Sequence, residues 1–455
     1  MKKAKTFLLV ALLMPCMMLF SACSGQKADI VSVTKTQETV TSETYAIVYS
    51  DGRVNNVELT KDDNSDSGKD IYELAVKYGY MGTFWDFLSE YLHYDAESKT
   101  TNAVSKALTS TVSVVAGFTG TMVGYKMTIY GYEPYTYEQA FTSAGSGVIY
   151  SLDKENGNAY IITNYHVVYS TSSNTTDKIS DDISIGLYGM ENEESAIKVD
   201  YVGGSMNYDI AVLKVTDSDI LKNSICTACE VADSDEIVVG ETAIAVGNPE
   251  AEGISATSGV VSVDSEYITM KASDDKTVIT SRVVRIDTAI NGGNSGGGLF
   301  NDEGKLIGIV NAKVVKENID NISYAIPINV ATKVADNILD NSGSVELFNL
   351  GASVTGVNSR AVYDEKLLSV KINEDVNVKS VTENSIASKI GLKENDIIKS
   401  ITINSKNISF VRAFELVDEL LTIRSGDTIA FNILRNNKEE TIGYSITSDD
   451  FALVA

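Results

Sequence analysis

Histidine and cysteine are both rare in this chain of 455 residues. There are only two histidines, His93 and His166, and of the four cysteines only Cys226 and Cys229 lie beyond the N-terminal segment. A structural zinc site takes about four such ligands, so this C-x-x-C pair lacks the further partners that it would need. We therefore expect no metal and no cofactor. The pair itself could form a small disulfide, stay as inert free thiols or act as a redox switch.

Basic residues are scarce relative to acidic ones. The chain has 37 lysines and arginines against 62 aspartates and glutamates, which gives a formal net charge of −25. So acidic a surface repels nucleic acid and anionic lipid headgroups. This excludes a nucleic-acid-binding protein and a protein that lies flat on an anionic membrane. With 44% hydrophobic residues, the chain is long enough to form more than one packed core.

The N-terminus has the pattern of a secretion signal. Lysines at the start precede an apolar run over residues 7–20, which ends at Ser21-Ala22-Cys23. This arrangement predicts a lipoprotein signal peptide over residues 1–22, with Cys23 as the lipidated first residue of the mature chain. Residues 23–42 are rich in serine, threonine, lysine and glutamine, and we interpret them as a tether. An ordinary signal peptide or an uncleaved anchor is the alternative, and either places the protein outside the cytoplasm, in the cell envelope.

Three residues have the chemistry and the context of a catalytic triad. A serine hydroxyl needs a base to take its proton, and imidazole has the most suitable ordinary pKa. His166 lies in Ile-Thr-Asn-Tyr-His-Val-Val and Ser295 in Gly-Asn-Ser-Gly-Gly. Asp209 precedes the apolar run Ile-Ala-Val-Leu-Lys-Val, where a carboxylate needs a partner; a strand-initiating turn residue is the other interpretation. The order His, Asp, Ser is that of the chymotrypsin-like double β-barrel.

The glycines around Ser295 fit a tight turn that presents backbone amides to one point. Such a turn can stabilise the oxyanion that forms when serine attacks a carbonyl. We assign the amides of Gly293 and Ser295 to this oxyanion hole, with Asn294 providing the peptide between them. In the double-barrel fold the floor of the primary substrate pocket lies six residues before the nucleophile, at Ala289. Without a carboxylate there, a basic side chain would be buried unpaired, so we expect cleavage after small or medium apolar residues.

Residues 101–337 resemble the protease domain of the HtrA/Deg family. The matching segments are residues 145–149, 161–168, 208–215, 245–249, 257–262, 287–297, 304–309 and 324–329. The resemblance implies an endopeptidase that cleaves unfolded or damaged proteins, and we expect Val310, Asn311 and Ala312 to form the other wall of its pocket. Gly292 stands where the family usually has proline, which predicts a more flexible turn. A chaperone or scaffold with little or no turnover is therefore the alternative function.

The C-terminal part, residues 345–449, resembles a PDZ domain of the HtrA type. Leu350, Gly351 and Ala352 would form its carboxylate-binding loop, and a helix over residues 410–423 would form the other wall of the groove. The resemblance implies that C-terminal peptides bind there by adding a strand to a free sheet edge. An unrelated α+β or immunoglobulin-like domain is the alternative.

Residues 43–100 form a third module of unknown role. Apolar runs flank a Ser-Asp-Gly-Arg turn at residues 50–53 and predict a hairpin, and residues 70–93 have helical spacing. The acidic segment 62–73 has oxygen side chains near calcium-loop positions but lacks the required glycine, which favours a solvated loop. This module could make the protein an envelope sensor that cuts rarely. The family resemblance further implies a trimer, formed through residues 102–115. The expected architecture is therefore mainly β: a double β-barrel, a PDZ domain and a small α+β module.

Overall fold

A computed structural model describes residues 30–38, 42–49, 52–60, 96–312, 322–367 and 369–454. The chain divides into two compact units, residues 1–95 and 96–455. The predicted signal peptide, Cys23, the acidic segment 62–73 and the predicted helix over residues 70–93 lie outside the described residues. Within the ranges that are described, no helix is long and apolar enough to cross a membrane.

The first unit contains a three-stranded antiparallel sheet, formed by β1 (Ile30–Glu38), β2 (Ser42–Tyr49) and β3 (Val54–Thr60). Val48 pairs with Val54, so β2 and β3 form a hairpin across the predicted turn. Strand β1 lies inside the segment that we predicted as a tether, and the structure differs from that prediction there. Its alternating isoleucine, valine and threonine residues favour a strand, which the polar composition of the segment concealed.

The second unit begins with helix α1 (Ala96–Ser110), followed by a closed six-stranded barrel. Its strands are β4 (Thr111–Thr128), β5 (Gly131–Asp153), β6 (Asn158–Thr163), β7 (Asp182–Leu187), β8 (Ile197–Ser205) and β9 (Ile210–Val215). Strand β9 is buried on both faces: Ala211, Leu213 and Val215 fill the barrel, whereas Ile210 and Val212 face a second cluster outside it. This double burial explains the continuous apolar run after Asp209.

A second closed barrel follows. Its strands are β10 (Thr242–Gly247), β11 (Ser255–Lys271), β12 (Val278–Ile286), β13 (Gly298–Phe300), β14 (Leu306–Val310) and β15 (Ser323–Pro327). One apolar cluster joins the two barrels and includes Ile162, Ile210 and Val246 together with helix α4 (Ile328–Asp340). Two shorter helices, α2 (Tyr165–Val168) and α3 (Asp219–Asn223), lie in the first barrel's connections. The predicted mainly β, chymotrypsin-like double barrel is confirmed.

The C-terminal domain is α+β. Strand β16 (Val345–Phe348) pairs with β23 (Phe451–Val454), and a separate sheet has the order β17, β18, β19, β21, β22, with β20 on the side of β19. These strands are β17 (Ala352–Asp364), β18 (Ser369–Val381), β19 (Ile397–Ile403), β20 (Lys406–Ser409), β21 (Thr428–Arg435) and β22 (Lys438–Ser445). Helix α5 (Ile386–Ile390) ends at Gly391 with φ 85°, and α6 (Ala413–Glu419) is shorter than the predicted helix.

A buried ion cluster fixes α6 against the second barrel. Arg282 of β12 is 6% exposed and donates to Asp418 of α6, which is 4% exposed. It also donates to Asp235 at 2.9 Å and to Ser265 at 3.0 Å, and its guanidinium lies 3.5 Å from the centre of the Phe414 ring. All three guanidinium nitrogens of Arg282 therefore donate to protein atoms, and the C-terminal domain is docked on the barrel.

Candidate active site

His166 lies on α2, the single helical turn that follows β6. Its neighbours Tyr165, Val167 and Val168 are buried in the core of the first barrel, which fixes the turn and directs the imidazole outward. The His166 side chain stays 20% exposed, at the seam where the two barrels meet. A substrate can therefore reach the ring from solvent.

Asp209 lies directly before β9 and accepts hydrogen bonds on both carboxylate oxygens. One oxygen accepts from the His166 amide at 3.0 Å, and the other lies 2.7 Å from His166 Nδ1. That second oxygen also accepts from Asn311 Nδ2 at 2.9 Å. Because the carboxylate binds Nδ1–H, the imidazole tautomer leaves Nε2 free to accept a proton. The aspartate is 4% exposed, and these donors compensate for the burial of its charge.

Ser295 lies across the seam, on the loop that enters β13. It is 5% exposed, and its Oγ accepts a hydrogen bond from the Ala312 amide at 3.2 Å. Among the described residues, no hydrogen bond joins Oγ to His166. Since catalytic hydrogen bonds often form only with substrate present, this geometry is compatible with a hydroxyl that turns toward the imidazole on binding.

The turn before Ser295 is held by close backbone contacts. Gly293 has φ 95°, and a Cβ atom there would lie 2.2 Å from the carbonyl oxygen of Asn248. The Gly292 carbonyl accepts from the Glu250 amide at 2.8 Å, and the Gly293 carbonyl accepts from Ser146 Oγ at 2.8 Å. With these carbonyls engaged, the amides of Gly293 and Ser295 have no partner among the described residues. The amides of Gly293 and Ser295, which flank Asn294, are therefore both available to donate hydrogen bonds to an oxyanion.

The four residues predicted for the substrate pocket have different surroundings in the structure. Ala289 is exposed, because its neighbours Thr288 and Ile290 take the buried positions of this segment. Val310 packs inside the second barrel, and the Asn311 side chain turns to Asp209. The Ala312 amide contacts Ser295 Oγ at 3.2 Å, and the Val310 carbonyl accepts from the Gly296 amide at 3.0 Å. The segment of residues 310–312 therefore runs beside the turn that carries Ser295.

The contacts of two asparagines with Asp209 were not predicted from the sequence. Asn311 was taken for a pocket wall, yet it donates to Asp209, and Asn164 donates from Nδ2 to the Asp209 carbonyl at 2.8 Å. Both are buried, at 3% and 0% exposed. A polar residue inside an apolar run was the available signal, since a buried amide needs a hydrogen-bond partner.

The two internal cysteines are free thiols, which contradicts the disulfide interpretation. Cys226 is buried, with its sulfur 2.7 Å from Ser224 Oγ. Burial raises the pKa of the Cys229 thiol to about 12, so this group stays protonated at neutral pH. In the described part of the chain, no group of three or more His, Cys, Asp or Glu side chains is placed to hold a metal ion.

The C-terminal domain has a groove of about 550 Å³ between β17 and α6. Leu350 is buried in the domain core. Gly351 has φ 71° and packs on Ser385. Ala352 is the first residue of β17, at the end of the groove. Ser265 and Tyr267 of the second barrel border the same groove. The three predicted loop residues therefore lie together at one end of a cleft that the protease barrel partly borders.

Comparison with known proteins agrees with this architecture. Residues 145–309 match the trypsin-like peptidase domain. The chain is 35% identical over 311 residues to the serine protease Do-like HtrA of Bacillus subtilis (strain 168), in an alignment that covers 67% of this chain and 63% of that protein. It is 30% identical over 315 residues to the serine protease Do-like HtrA of Lactococcus lactis subsp. cremoris (strain MG1363), covering 67% and 71%. The chain thus spans less than two thirds of the Bacillus relative.

A solved structure, the HtrA-type protease AlgW with tripeptide, matches at 24% identity with a TM-score of 0.48, covering 78% of this chain and 97% of that one.

Proposed function

Because this chain belongs to the HtrA family of serine proteases, we propose that it is a serine endopeptidase with His166, Asp209 and Ser295 as its triad. The observation that carries the proposal is the contact of 2.7 Å between His166 Nδ1 and the Asp209 carboxylate, across the seam from a serine on a glycine-rich turn. Asp209 fixes the tautomer and stabilises the imidazolium, and Nε2 is the base.

The reaction follows from these positions. Ser295 Oγ attacks the scissile carbonyl as His166 Nε2 takes its proton, and the carbonyl oxygen becomes an oxyanion at the amides of Gly293 and Ser295, which flank Asn294. The imidazolium then protonates the leaving amine, which leaves an acyl-enzyme that water hydrolyses by the same route. Each amide of such a hole typically contributes about 3 to 4 kcal/mol to lowering the barrier.

The substrates that we propose are unfolded or damaged proteins, cut after small or medium apolar residues. The apolar preference is supported by Ala312, the predicted wall residue whose amide contacts Ser295 Oγ and whose side chain is apolar. We place C-terminal peptide tails in the groove between β17 and α6, with their carboxylate at Leu350, Gly351 and Ala352, as in a PDZ domain. In the described part of the chain β17 is an edge strand of its sheet, and Gly351 has φ 71°; both features support this assignment.

The cellular setting is also a proposal. A signal peptide over residues 1–22 and a lipid on Cys23 would hold the protein on the outer side of a membrane, in the cell envelope. A homo-oligomer fits the family, and a trimer through residues 102–115 is the form that we propose. Neither a cofactor nor nucleic acid has a role in this account.

Little or no turnover, with the protein acting as a chaperone or sensing scaffold, is the second candidate. It is favoured by one observation: Ser295 Oγ accepts from the Ala312 amide and, among the described residues, donates no hydrogen bond to His166. Incubation of the full chain with unfolded casein and with a folded protein, beside Ser295→Ala, separates the two functions. Endopeptidase activity predicts fragments from casein that disappear in the variant. Intact casein, with aggregation of an unfolded client suppressed equally by both proteins, would favour the scaffold.

A further inference from the structure

The backbone of Asp209 has an unusual conformation for a residue with a side chain. Its φ is 52°, in the left-handed region that non-glycine residues rarely adopt. The carboxylate is held from one side by His166 and Asn311. The carbonyl accepts from Asn164 Nδ2 at 2.8 Å and from the Tyr165 amide at 3.2 Å. A strained conformation persists only where its surroundings fix it. At Asp209 the two hydrogen bonds to the carbonyl oxygen contribute to fixing it.

Asn164 does not have the usual role of an asparagine in its position. It is the N-cap residue of α2, where an asparagine side chain normally accepts a hydrogen bond from the helix. Here the side chain makes no capping bond. Its Oδ1 is buried and has no hydrogen-bond partner among the described residues, while its Nδ2 binds the Asp209 carbonyl. The Asn164 side chain therefore binds Asp209 and does not cap α2.

Asn164 also lies against the turn that carries the nucleophile. A Cβ atom on Gly296 would lie 2.9 Å from the Asn164 amide nitrogen and 2.2 Å from the carbonyl oxygen of Ser146. The residue is 0% exposed and lies between Asp209 and the Ser295 loop. A shift of Asn164 would therefore displace both Asp209 and the loop that carries Ser295.

We propose that Asn164 is a positioning residue that holds Asp209 in its left-handed conformation, so that its carboxylate meets His166. This inference rests on the proposed protease function. The amide acts through the main chain of Asp209 and touches no substrate. Without it, the peptide after Asp209 keeps only the Tyr165 amide and can relax toward an ordinary φ, which turns the carboxylate away from Nδ1.

The test compares three variants of the full chain with a peptide substrate and an active-site fluorophosphonate. Asn164→Ala should lower kcat by about tenfold to a hundredfold, the cost of a misplacement near 1 Å, and leave KM within about twofold. Asn337→Ala is the matched control, because Asn337 of α4 is 1% exposed and its Nδ2 donates to the Glu346 carbonyl of β16 at 2.8 Å, away from the candidate active site. It should lose stability and keep kcat.

Asn164→Ser separates positioning from folding. Serine is a good N-cap for α2 but is too short to reach the Asp209 carbonyl. We expect this variant to be more stable than Asn164→Ala and equally slow. Recovery of kcat together with stability would overturn the proposal, because the defect would then lie in the helix.

A double-mutant cycle completes the test. In an Asp209→Ala background, Asn164→Ala should not slow fluorophosphonate labelling further, because the residue that it positions is gone. The same fold-loss in both backgrounds would contradict the inference, as would wild-type kcat in Asn164→Ala. If the wild-type chain itself neither cleaves nor labels, the proposed protease function fails, which is a different outcome from failure of this inference.

Discussion

Replacement of Arg282 by alanine is the perturbation whose effect on stability the structure defines best. The change removes the arginine partner of Asp418, which is 4% exposed, and the donor to Ser265. Asp235 also loses the arginine but keeps the hydrogen bond from Asn329 Nδ2 at 3.0 Å. Loss of one member of a buried ion pair typically costs about 3 to 5 kcal/mol, because the remaining charge is buried without compensation. Loss of the guanidinium over the Phe414 ring adds to this, at about 0.5 to 2 kcal/mol.

The pH dependence of this loss has a defined sign. Burial raises the pKa of Asp418 to about 6, even though the Arg282 charge opposes the rise. A carboxyl whose folded pKa is raised contributes stability at acidic pH and loses it as the pH rises through the folded pKa. In Arg282→Ala the pKa should rise further. The stability difference between the two proteins should therefore be small near pH 4 and largest above pH 7.

Urea unfolding of both proteins at several pH values measures this difference. Lys366→Ala is a suitable control, since its ion pair with Glu236 is exposed and such pairs contribute about 0 to 1 kcal/mol. A second variant, Arg282→Met with Asp418→Leu, should recover much of the loss because neither charge is then buried. A loss below about 1 kcal/mol for Arg282→Ala, or one independent of pH, would refute the account of the domain contact.

Three further predictions concern the site and its surroundings. Iodoacetamide added to the unfolded protein without reductant should alkylate both Cys226 and Cys229, as mass spectrometry of their peptide would show; an unmodified, linked pair would contradict the free thiols. Gly293→Ala should reduce kcat by at least about a hundredfold, since the turn must move away from Asn248 and one oxyanion donor moves with it; unchanged turnover would remove Gly293 from the hole. Ala289→Asp should leave the cleavage preference apolar because this side chain is exposed, and new cleavage after lysine or arginine in peptide libraries would restore it to the pocket floor.

The sequence was most informative where chemistry restricts the choice of residue. With only two histidines, the base was nearly determined, and the order of His166, Asp209 and Ser295 selected the double barrel that the structure has. The apolar run after Asp209 also predicted a buried strand. Such features depend on residue type and order, which a single sequence contains.

The features that the sequence did not predict depend on side-chain direction and backbone path. Asn311 follows the buried strand β14, and only the fold shows that its amide turns to Asp209 and not to a substrate. Strand β1 has a polar composition and gains its order from pairing with β2, a contact that composition does not encode.

The most direct test of the central claim is to map the site of covalent modification after the full chain reacts with a fluorophosphonate. The account predicts one adduct, on Ser295, that is lost in Ser295→Ala and strongly slowed in His166→Ala. Absence of any adduct, or an adduct on another residue that persists in Ser295→Ala, would contradict it.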